Sequence, residues 1–169
     1  MMSLDAIKEL RELTNCGIID CKKALEQAGG NLAKAKEILR EKGLQMALKK
    51  ASRVANEGRV EAYIHNGNRI GVLVEVNCET DFVARNDFFI QFSKDLAMHI
   101  AAMAPKYIKK DDVPADVLAG GVELSAICLL EQPFVKDASK SIQDLLNELI
   151  AKTGENILIG RFIRYKIGE

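Results

Sequence analysis

The sequence predicts an α+β protein in two parts: an N-terminal bundle of three helices, and a core of a small antiparallel sheet with helices on one face. Three observations carry this prediction. Apolar residues recur with a helical period up to about residue 50, and they alternate with polar residues from about residue 59. Between two alternating runs stands Asn66-Gly67, a pair typical of a tight hairpin turn. We therefore assign residues 1–52 to the bundle with its linker helix and residues 53–169 to the core.

The bundle is predicted from its caps and breaks. Ser3 is the expected N-cap of the first helix, which Asn15 and Gly17 interrupt. A second helix runs from about residue 18 to residue 28, where Gly29-Gly30 supplies the left-handed residues that end a helix. Asn31 is the expected cap of a third helix that ends at Gly43, and a solvated, charged linker helix is expected after it. The apolar residues at helical spacing are Leu4, Ile7, Leu10, Cys21, Ala24, Leu25, Ala28, Leu32, Ala35, Ile38 and Leu39.

The core is predicted to contain three strands and two helices. The strands are expected over residues 59–65, 70–76 and 157–167. The helices are expected over residues 87–104, ended by Pro105, and 141–153, ended by Gly154. We expect the sheet face opposite the helices to carry four large apolar residues: Tyr63, Leu73, Leu158 and Phe162. Because so much apolar surface is unusual on a face left in water, it indicates a partner, and we expect a homodimer.

Charge and segment composition exclude several classes of protein. The chain has 24 Lys plus Arg and 24 Asp plus Glu, so its formal net charge is zero. A general nucleic-acid binder needs excess cations to displace counterions from phosphates, so we expect no direct nucleic-acid contact. No apolar run is long enough to span a membrane, and the start resembles neither a signal peptide nor a transit peptide. The expected location is therefore cytoplasmic.

The residues that carry covalent chemistry are sparse. The four cysteines, at positions 16, 21, 78 and 128, form no C-x-x-C pair, so we expect reduced structural thiols and no metal site. The glycines form no phosphate-binding loop with its lysine and hydroxyl. Of the two histidines, His99 lies one turn after Leu96 on a predicted helix and is best explained as a satisfied, partly buried side chain. We expect no catalytic residues, so the protein is predicted not to be an enzyme.

One polar stretch, residues 77–87, connects a predicted strand to a predicted helix and contains Phe82 and Val83 among polar neighbours. It has two interpretations. In one, it is a capped helix start, with Asn86 or Asp87 as the cap and Phe82 tucked into the core. In the other, Phe82 protrudes from a polar turn as an anchor for another protein. The residues alone favour neither interpretation.

Three segments resemble the elongation factor Ts family. Residues 10–25, LRELTNCGIIDCKKAL, are similar to its N-terminal signature, and residues 75–86, EVNCETDFVARN, to its second signature. Residues 129–137, LLEQPFVKD, resemble a third family stretch. The resemblance covers nearly the whole chain except residues 115–125. It points to the short, single-core members, which also supports a homodimer by analogy.

The resemblance implies a guanine-nucleotide exchange factor in translation elongation. Such a protein binds elongation factor Tu in its GDP state and promotes GDP release, and it needs no cofactor of its own. The ubiquitin-associated-like bundle would dock on the GTPase's nucleotide domain through Arg11, Ile18 and Ile19. The turn that bears Asp81 and Phe82, flanked by Thr80 and Val83, would intrude beside the GTPase's magnesium and phosphate region.

Two departures from the family pattern stand out. Asn15 replaces a usual glycine, and asparagine tolerates the same left-handed backbone. A longer helix-rich segment, usual in the family, is shortened here to the stretch around Gly120-Gly121. The alternative function is a helical-bundle protein-interaction module without exchange activity, and the 75–86 motif argues against it.

Overall fold

The structure is a computed structural model that describes residues 4–14 and 16–169, so the predicted cap Ser3 and the predicted break at Asn15 lie outside the described residues. The helices are α1 (Leu4–Thr14), α2 (Ile18–Gln27), α3 (Leu32–Lys50), α4 (Asp81–Ala84), α5 (Asp87–Met103), α6 (Ala115–Ala119), α7 (Leu124–Ile127) and α8 (Ile142–Thr153), with 3₁₀ turns at Lys110–Asp112 and Leu129–Glu131. The strands are β1 (Glu57–Ile64), β2 (Ile70–Cys78), β3 (Pro133–Phe134), β4 (Asp137–Ser141) and β5 (Leu158–Lys166). Three N-terminal helices precede a small antiparallel sheet with helices, which confirms the predicted α+β class.

The bundle of α1, α2 and α3 has its own small apolar core. Its buried residues are Ile7, Leu10, Cys21, Ala24, Leu25, Ala35 and Leu39. The predicted break at Gly29-Gly30 is confirmed, because these residues adopt positive φ values of 60° and 83°. Asn31 caps α3, and its side chain accepts a hydrogen bond from the Lys34 N–H at 3.0 Å. The local signals in the sequence therefore fix where these helices begin and end.

The predicted end of the third helix at Gly43 is wrong, because α3 continues to Lys50. Gly43 is buried against α8, and a Cβ there would lie 3.6 Å from the Asn147 carbonyl oxygen and 3.7 Å from Ala151 Cβ. A glycine here permits close helix packing instead of ending a helix. The expected solvated linker helix is thus the second half of α3, and one side of it lies on the core. Arg40 extends this contact, with Nη1 3.4 Å from Asp144 Oδ1.

The main sheet has the strand order β1-β2-β5 and is antiparallel throughout. The predicted hairpin turn is confirmed, with Gly67 at φ 83° and the His65 N–H donating to the Ile70 carbonyl at 2.9 Å. On β2 the buried side chains Val72, Val74 and Val76 face the helices, α5 above all. The main core therefore lies between this face of the sheet and helices α5 and α8.

Two of the four residues that we expected on the outer face lie on the inner one. Tyr63 is paired with Val72 and Phe162 with Val74, so both side chains face the helices and pack against the main core. Leu73 and Leu158 are on the outer face, as expected. The outer face is nonetheless apolar, and its exposed large residues are Val60, Ile64, Leu73, Leu158, Ile163 and Tyr165.

The wrong face assignments of Tyr63 in β1 and Phe162 in β5 each have a physical reason. In β5 the register shifts opposite Glu75 and Val76, where Gly160 is the extra residue, and a bulge of one residue moves all later side chains to the opposite face. In β1 the hairpin register places the polar residues inward. Arg59 and Glu61 face the helices and pair with each other, with Arg59 Nη2 2.7 Å from Glu61 Oε2. The ion pair allows two charged residues to occupy a largely buried face.

The remaining segment between α5 and α8 folds into a compact unit. The stretch around Gly120-Gly121, expected as a loop, is flanked by α6 and α7 and encloses a third apolar cluster. The buried residues of that cluster are Val113, Ile127 and Cys128. The β3–β4 hairpin follows and leads into α8. Ser141 caps this helix, since its side chain accepts from the Asp144 N–H while the Asp144 side chain accepts from the Ser141 N–H.

His99 is fully buried and hydrogen-bonded, which confirms its structural interpretation. Its Nε2 lies 3.0 Å from Gln132 Oε1, and its Nδ1 accepts from the Val135 N–H at 3.3 Å. Because Nδ1 must be unprotonated to accept this bond, the ring is neutral with the proton on Nε2. Burial lowers the pKa of His99.

No helix in the described part of the chain is long and apolar enough to cross a membrane.

Candidate functional site

The connection between β2 and α5 contains a short helix that we did not expect, α4, and it forms an exposed turn over residues 80–84. Thr80 is its N-cap, and its hydroxyl accepts from the Val83 N–H at 3.4 Å. Val83 and Ala84 are buried in the main core. Asp81 and Phe82 face outward, and Phe82 is 79% exposed. The interpretation that placed Phe82 in the core is therefore wrong, whereas the capped helix start is present, with Asn86 capping α5 through a bond from the Phe88 N–H.

A carboxylate from a distant part of the chain holds the 80–84 turn. Glu155 Oε2 accepts from the backbone N–H groups of Glu79 and Thr80, each at 3.0 Å, and Oε1 accepts from the Thr80 hydroxyl at 2.6 Å. The buried Cys78 thiol donates to the Thr80 carbonyl at 3.1 Å. Burial, together with the nearby Glu155 charge, raises the pKa of Cys78 to about 11, so this thiol stays protonated and can donate. The backbone that presents Phe82 is thus fixed from two sides.

Asp81 makes one ion pair in the structure, with Arg85 Nη2 2.9 Å from its Oδ2. Both side chains are mostly exposed, so the pair contributes little to stability. It leaves the Asp81 carboxylate accessible beside the Phe82 ring. The turn therefore offers an aromatic ring and an acid side by side on a fixed backbone.

The three bundle residues selected from the N-terminal signature lie on the surface. Ile18 and Ile19, at the start of α2, are 56% and 70% exposed, and Arg11 on α1 is exposed as well. They line one wall of a groove of about 920 Å³ between the bundle and the core. The opposite wall includes Phe88 and Lys152, whose Nζ lies 3.2 Å from the centre of the Phe88 ring. Burial lowers the pKa of Lys152.

The structure gives the seven selected residues different positions. Arg11, Ile18 and Ile19 share the groove, and Asp81 and Phe82 share the exposed turn, which α5 connects to the groove through Phe88. Val83 is buried, and the Thr80 hydroxyl is engaged within the turn, so these two side chains support the turn from inside.

Sequence reasoning missed Phe88, Lys152 and Glu155. Phe88 could have been found, since the helical period that places Phe89 and Phe92 inward leaves Phe88 outside. For Lys152 and Glu155 no local signal exists, because their contacts here lie more than 60 residues away in sequence.

The arrangement is suited to non-covalent binding. Within residues 4–14 and 16–169, no group of three or more His, Cys, Asp or Glu side chains could hold a metal ion. All four cysteines are free thiols. An exposed aromatic beside a carboxylate on a fixed turn is an arrangement that another protein can recognise.

Comparison with known proteins gives consistent matches. A family model described as elongation factor TS matches residues 6–124. The chain is 52% identical to an elongation factor Ts from Thermoanaerobacter sp. (strain X514), over all of this chain and 96% of that protein. It is 49% identical to one from Carboxydothermus hydrogenoformans, over 100% of this chain and 90% of that protein. It is 49% identical to one from Thermotoga petrophila, over 99% of this chain and 97% of that protein.

The alignments also bear on the shortened segment. The first spans 196 positions, whereas this chain has 169 residues, so 196 − 169 = 27 aligned positions have no counterpart here. The relatives therefore carry residues that this chain lacks.

Proposed function

This chain belongs to the elongation factor Ts family, and from that premise we propose that it is a guanine-nucleotide exchange factor of translation elongation. It binds elongation factor Tu in its GDP state and promotes GDP release, so that GTP can bind. The observation that carries this proposal is Phe82, a large aromatic held out in solvent beside Asp81 on a hydrogen-bonded turn. A folded protein gains nothing in stability from such a residue, so its use lies in a partner.

The mechanism follows from thermodynamic linkage. A factor that binds the nucleotide-free GTPase more tightly than the GDP-bound form must lower the affinity for GDP by the same ratio. Phe82 and Asp81 enter the GTPase beside its phosphate and magnesium region, and they stabilise the state from which GDP has left. The nucleotide and the metal belong to the GTPase, so this chain performs no covalent chemistry and supplies no cofactor.

The exposed residues of the bundle and those of the 80–84 turn have different roles in this proposal. Arg11, Ile18 and Ile19 dock the bundle on the nucleotide domain of the GTPase, and the groove beside them receives part of that domain. Thr80 and Val83 act from within, by capping and anchoring the 80–84 turn. In this proposal residues 1–52 are the docking module and residues 53–169 are the core that carries the turn. The protein acts in the cytoplasm, without direct contact to nucleic acid or membrane.

We also propose that two copies associate through the outer face of the sheet. Its six exposed large apolar residues are distributed over all three strands, and a twofold axis would place this face against itself. The Glu75–Arg161 pair on the same face, with Arg161 Nε 2.8 Å from Glu75 Oε2, supplies polar contacts within it.

A nucleotide-release assay tests the exchange function. Elongation factor Tu loaded with fluorescent GDP is mixed with substoichiometric amounts of this protein and an excess of unlabelled nucleotide. We expect GDP release to accelerate and each molecule of the factor to act repeatedly. Binding to the GTPase without acceleration would instead identify an interaction module without exchange activity. A folded sample that neither binds the GTPase nor accelerates GDP release would refute the exchange function.

A further inference from the structure

We propose that Glu155 is a positioning residue for nucleotide exchange: its carboxylate holds the 80–84 turn in the conformation that presents Phe82. This inference rests on the proposed function and deepens it. Glu155 does not contact the GTPase in this proposal, and it acts only through the backbone of Glu79 and Thr80.

The hydrogen bonds of the Glu155 carboxylate support this role by their geometry. One carboxylate accepts three hydrogen bonds from two consecutive residues, at 3.0, 3.0 and 2.6 Å. Hydrogen bonds to a charged acceptor are stronger than neutral ones and hold their donors more tightly. The bonds run from the turn after α8 to the end of β2, residues that are 75 and 76 positions apart.

The contact is reciprocal. Glu79 Oε1 accepts from the Asn156 N–H at 2.6 Å, so each segment offers a carboxylate to the backbone of the other. Directly beside them, Asn77 of β2 is paired with Leu158 of β5. The two carboxylates thus continue the β2–β5 pairing beyond the end of the sheet, up to the first residue of the turn.

The hydrogen bonds to Glu155 place the backbone of residues 79 and 80 more than they stabilise the fold. Thr80 is exposed and Glu79 is only partly buried, so water could satisfy their N–H groups if Glu155 were absent. A carboxylate at this position therefore contributes less to stability than to the placement of the backbone. Phe82 is 79% exposed and makes few contacts of its own, so its position depends on that backbone.

The turn after α8, residues 154–156, also holds the end of α3. The Lys50 ammonium donates to the Gly154 carbonyl, and Asn156 Nδ2 donates to the Arg53 carbonyl at 2.7 Å. Arg53 Nη1 in turn lies 3.6 Å from Glu79 Oε2. Residues 154–156 therefore connect the last turn of the bundle's long helix to the Phe82 turn, and they set the position of one relative to the other.

The test compares Glu155→Ala with two matched variants. Glu155→Gln keeps an oxygen for the two backbone donors, and its amide N–H₂ can donate to the Thr80 hydroxyl oxygen in place of the bond that the hydroxyl now donates, so it should retain most of the function. Asp137→Ala is the control, because Asp137 also accepts from one backbone N–H and one hydroxyl, those of Ser139, but in the β3–β4 hairpin. If Glu155→Ala melts below the assay temperature, Glu155→Asp takes its place, since it keeps the charge but draws the carboxylate back.

Two readouts are measured on each full-length variant. The first is amide hydrogen exchange over residues 79–84, which does not depend on the GTPase. The second is the rate of GDP release per concentration of factor. For Glu155→Ala we expect faster amide exchange in this segment and GDP release reduced by about tenfold, which corresponds to about 1.4 kcal/mol. For Asp137→Ala we expect values close to the parent, and for Glu155→Gln values between those of the parent and Glu155→Ala, because a neutral acceptor holds the backbone less tightly.

The outcomes separate this inference from the proposed function. If amide hydrogen exchange over residues 79–84 is the same in Glu155→Ala and the parent, the positioning role is refuted, whatever the effect on the rate of GDP release. If the turn loosens but GDP release is unchanged, while Phe82→Ala slows GDP release, the role is also refuted. If the parent protein fails to accelerate GDP release from the GTPase, the proposed function is refuted. Amide hydrogen exchange then still tests whether Glu155 holds the 80–84 turn.

Discussion

At the scale of single residues, exposure distinguishes aromatic side chains that look equivalent in the sequence. Phe82 and Phe89 lie seven positions apart in one segment, yet Phe82 is 79% exposed and Phe89 is fully buried. A buried aromatic stabilises the fold through the area it removes from water, and an exposed one does not. Substitution of each should therefore affect a different property.

We predict that Phe82→Ala slows nucleotide exchange on the GTPase and leaves the stability of the fold nearly unchanged. The free energy of unfolding should change by less than about 0.5 kcal/mol, the usual range for an exposed site. Loss of a partner anchor should weaken the complex by about 2 kcal/mol or more, so GDP release should slow by about thirtyfold. Thermal melting and the nucleotide-release assay measure the two effects.

Phe89→Ala is the matched control, and it should lose about 3–5 kcal/mol of stability because it leaves a cavity in the main core. The anchor role would be contradicted if Phe82→Ala melted far below the parent while its folded fraction released GDP normally.

His99 predicts a pH dependence of stability. Burial lowers its pKa in the folded protein, whereas the unfolded chain has the ordinary value of about 6.5. The unfolded state therefore binds the proton more readily, so the free energy of unfolding should be constant above about pH 7 and fall as the pH drops below about 6.5. The slope for one proton is at most about 1.4 kcal/mol per pH unit.

Urea unfolding between about pH 5 and pH 8 measures this slope, in a window above the range where ordinary carboxylates titrate. His99→Gln has no titrating ring and should flatten the curve over the same window, even if its stability is lower throughout. An equal slope in parent and variant would assign the effect to another group.

At the scale of elements, α3 joins the two parts of the molecule. Its first half belongs to the bundle core through Ala35 and Leu39, and its second half packs against α8. Gly43 stands at the change between the two, where the helices approach closely. Helix propensity disfavours glycine there, whereas the packing leaves room for a methyl group but not for a large side chain.

We predict opposite effects for two substitutions at Gly43. A Cβ at this position would meet its nearest atoms at 3.6–3.7 Å, which is ordinary van der Waals contact. Gly43→Ala should therefore fit and raise stability by about 1 kcal/mol through helix propensity. Gly43→Leu should force α3 away from α8 and cost about 1–3 kcal/mol. Melting curves of both variants decide, and a destabilised Gly43→Ala would show that α3 and α8 lie closer than described.

At the scale of the whole molecule, the sheet exposes an apolar face that its own helices leave uncovered. Leu73 lies at the centre of this face, paired with Ala62 on one side and Ile163 on the other. In a dimer built on the outer face it would be buried against the second copy. A charge at that position would then be costly in the dimer and tolerated in the monomer.

We predict that the parent sediments as a dimer at tens of micromolar and that Leu73→Glu sediments as a monomer. A concentration of tens of micromolar is suited to detecting a dimer with a modest interface. Leu48→Glu is the control, because Leu48 is 69% exposed on α3 and should leave the dimer intact. A parent that remains monomeric at this concentration would refute the proposed dimer, and a Leu73→Glu variant that remains dimeric would mean that the sheet face is not the interface.

The sequence by itself determined the features that depend on neighbours along the chain. The change from helical to alternating period, the Asn31 cap, the Asn66-Gly67 turn and the signature motifs all depend on residues a few positions apart. Tertiary structure alone decided which side of β1 and β5 faces the helices, since hairpin register and one extra residue at Gly160 set it. It also decided that Phe82 is exposed and that Glu155 holds its turn, because burial and hydrogen bonding between segments 75 residues apart arise only when the chain is folded.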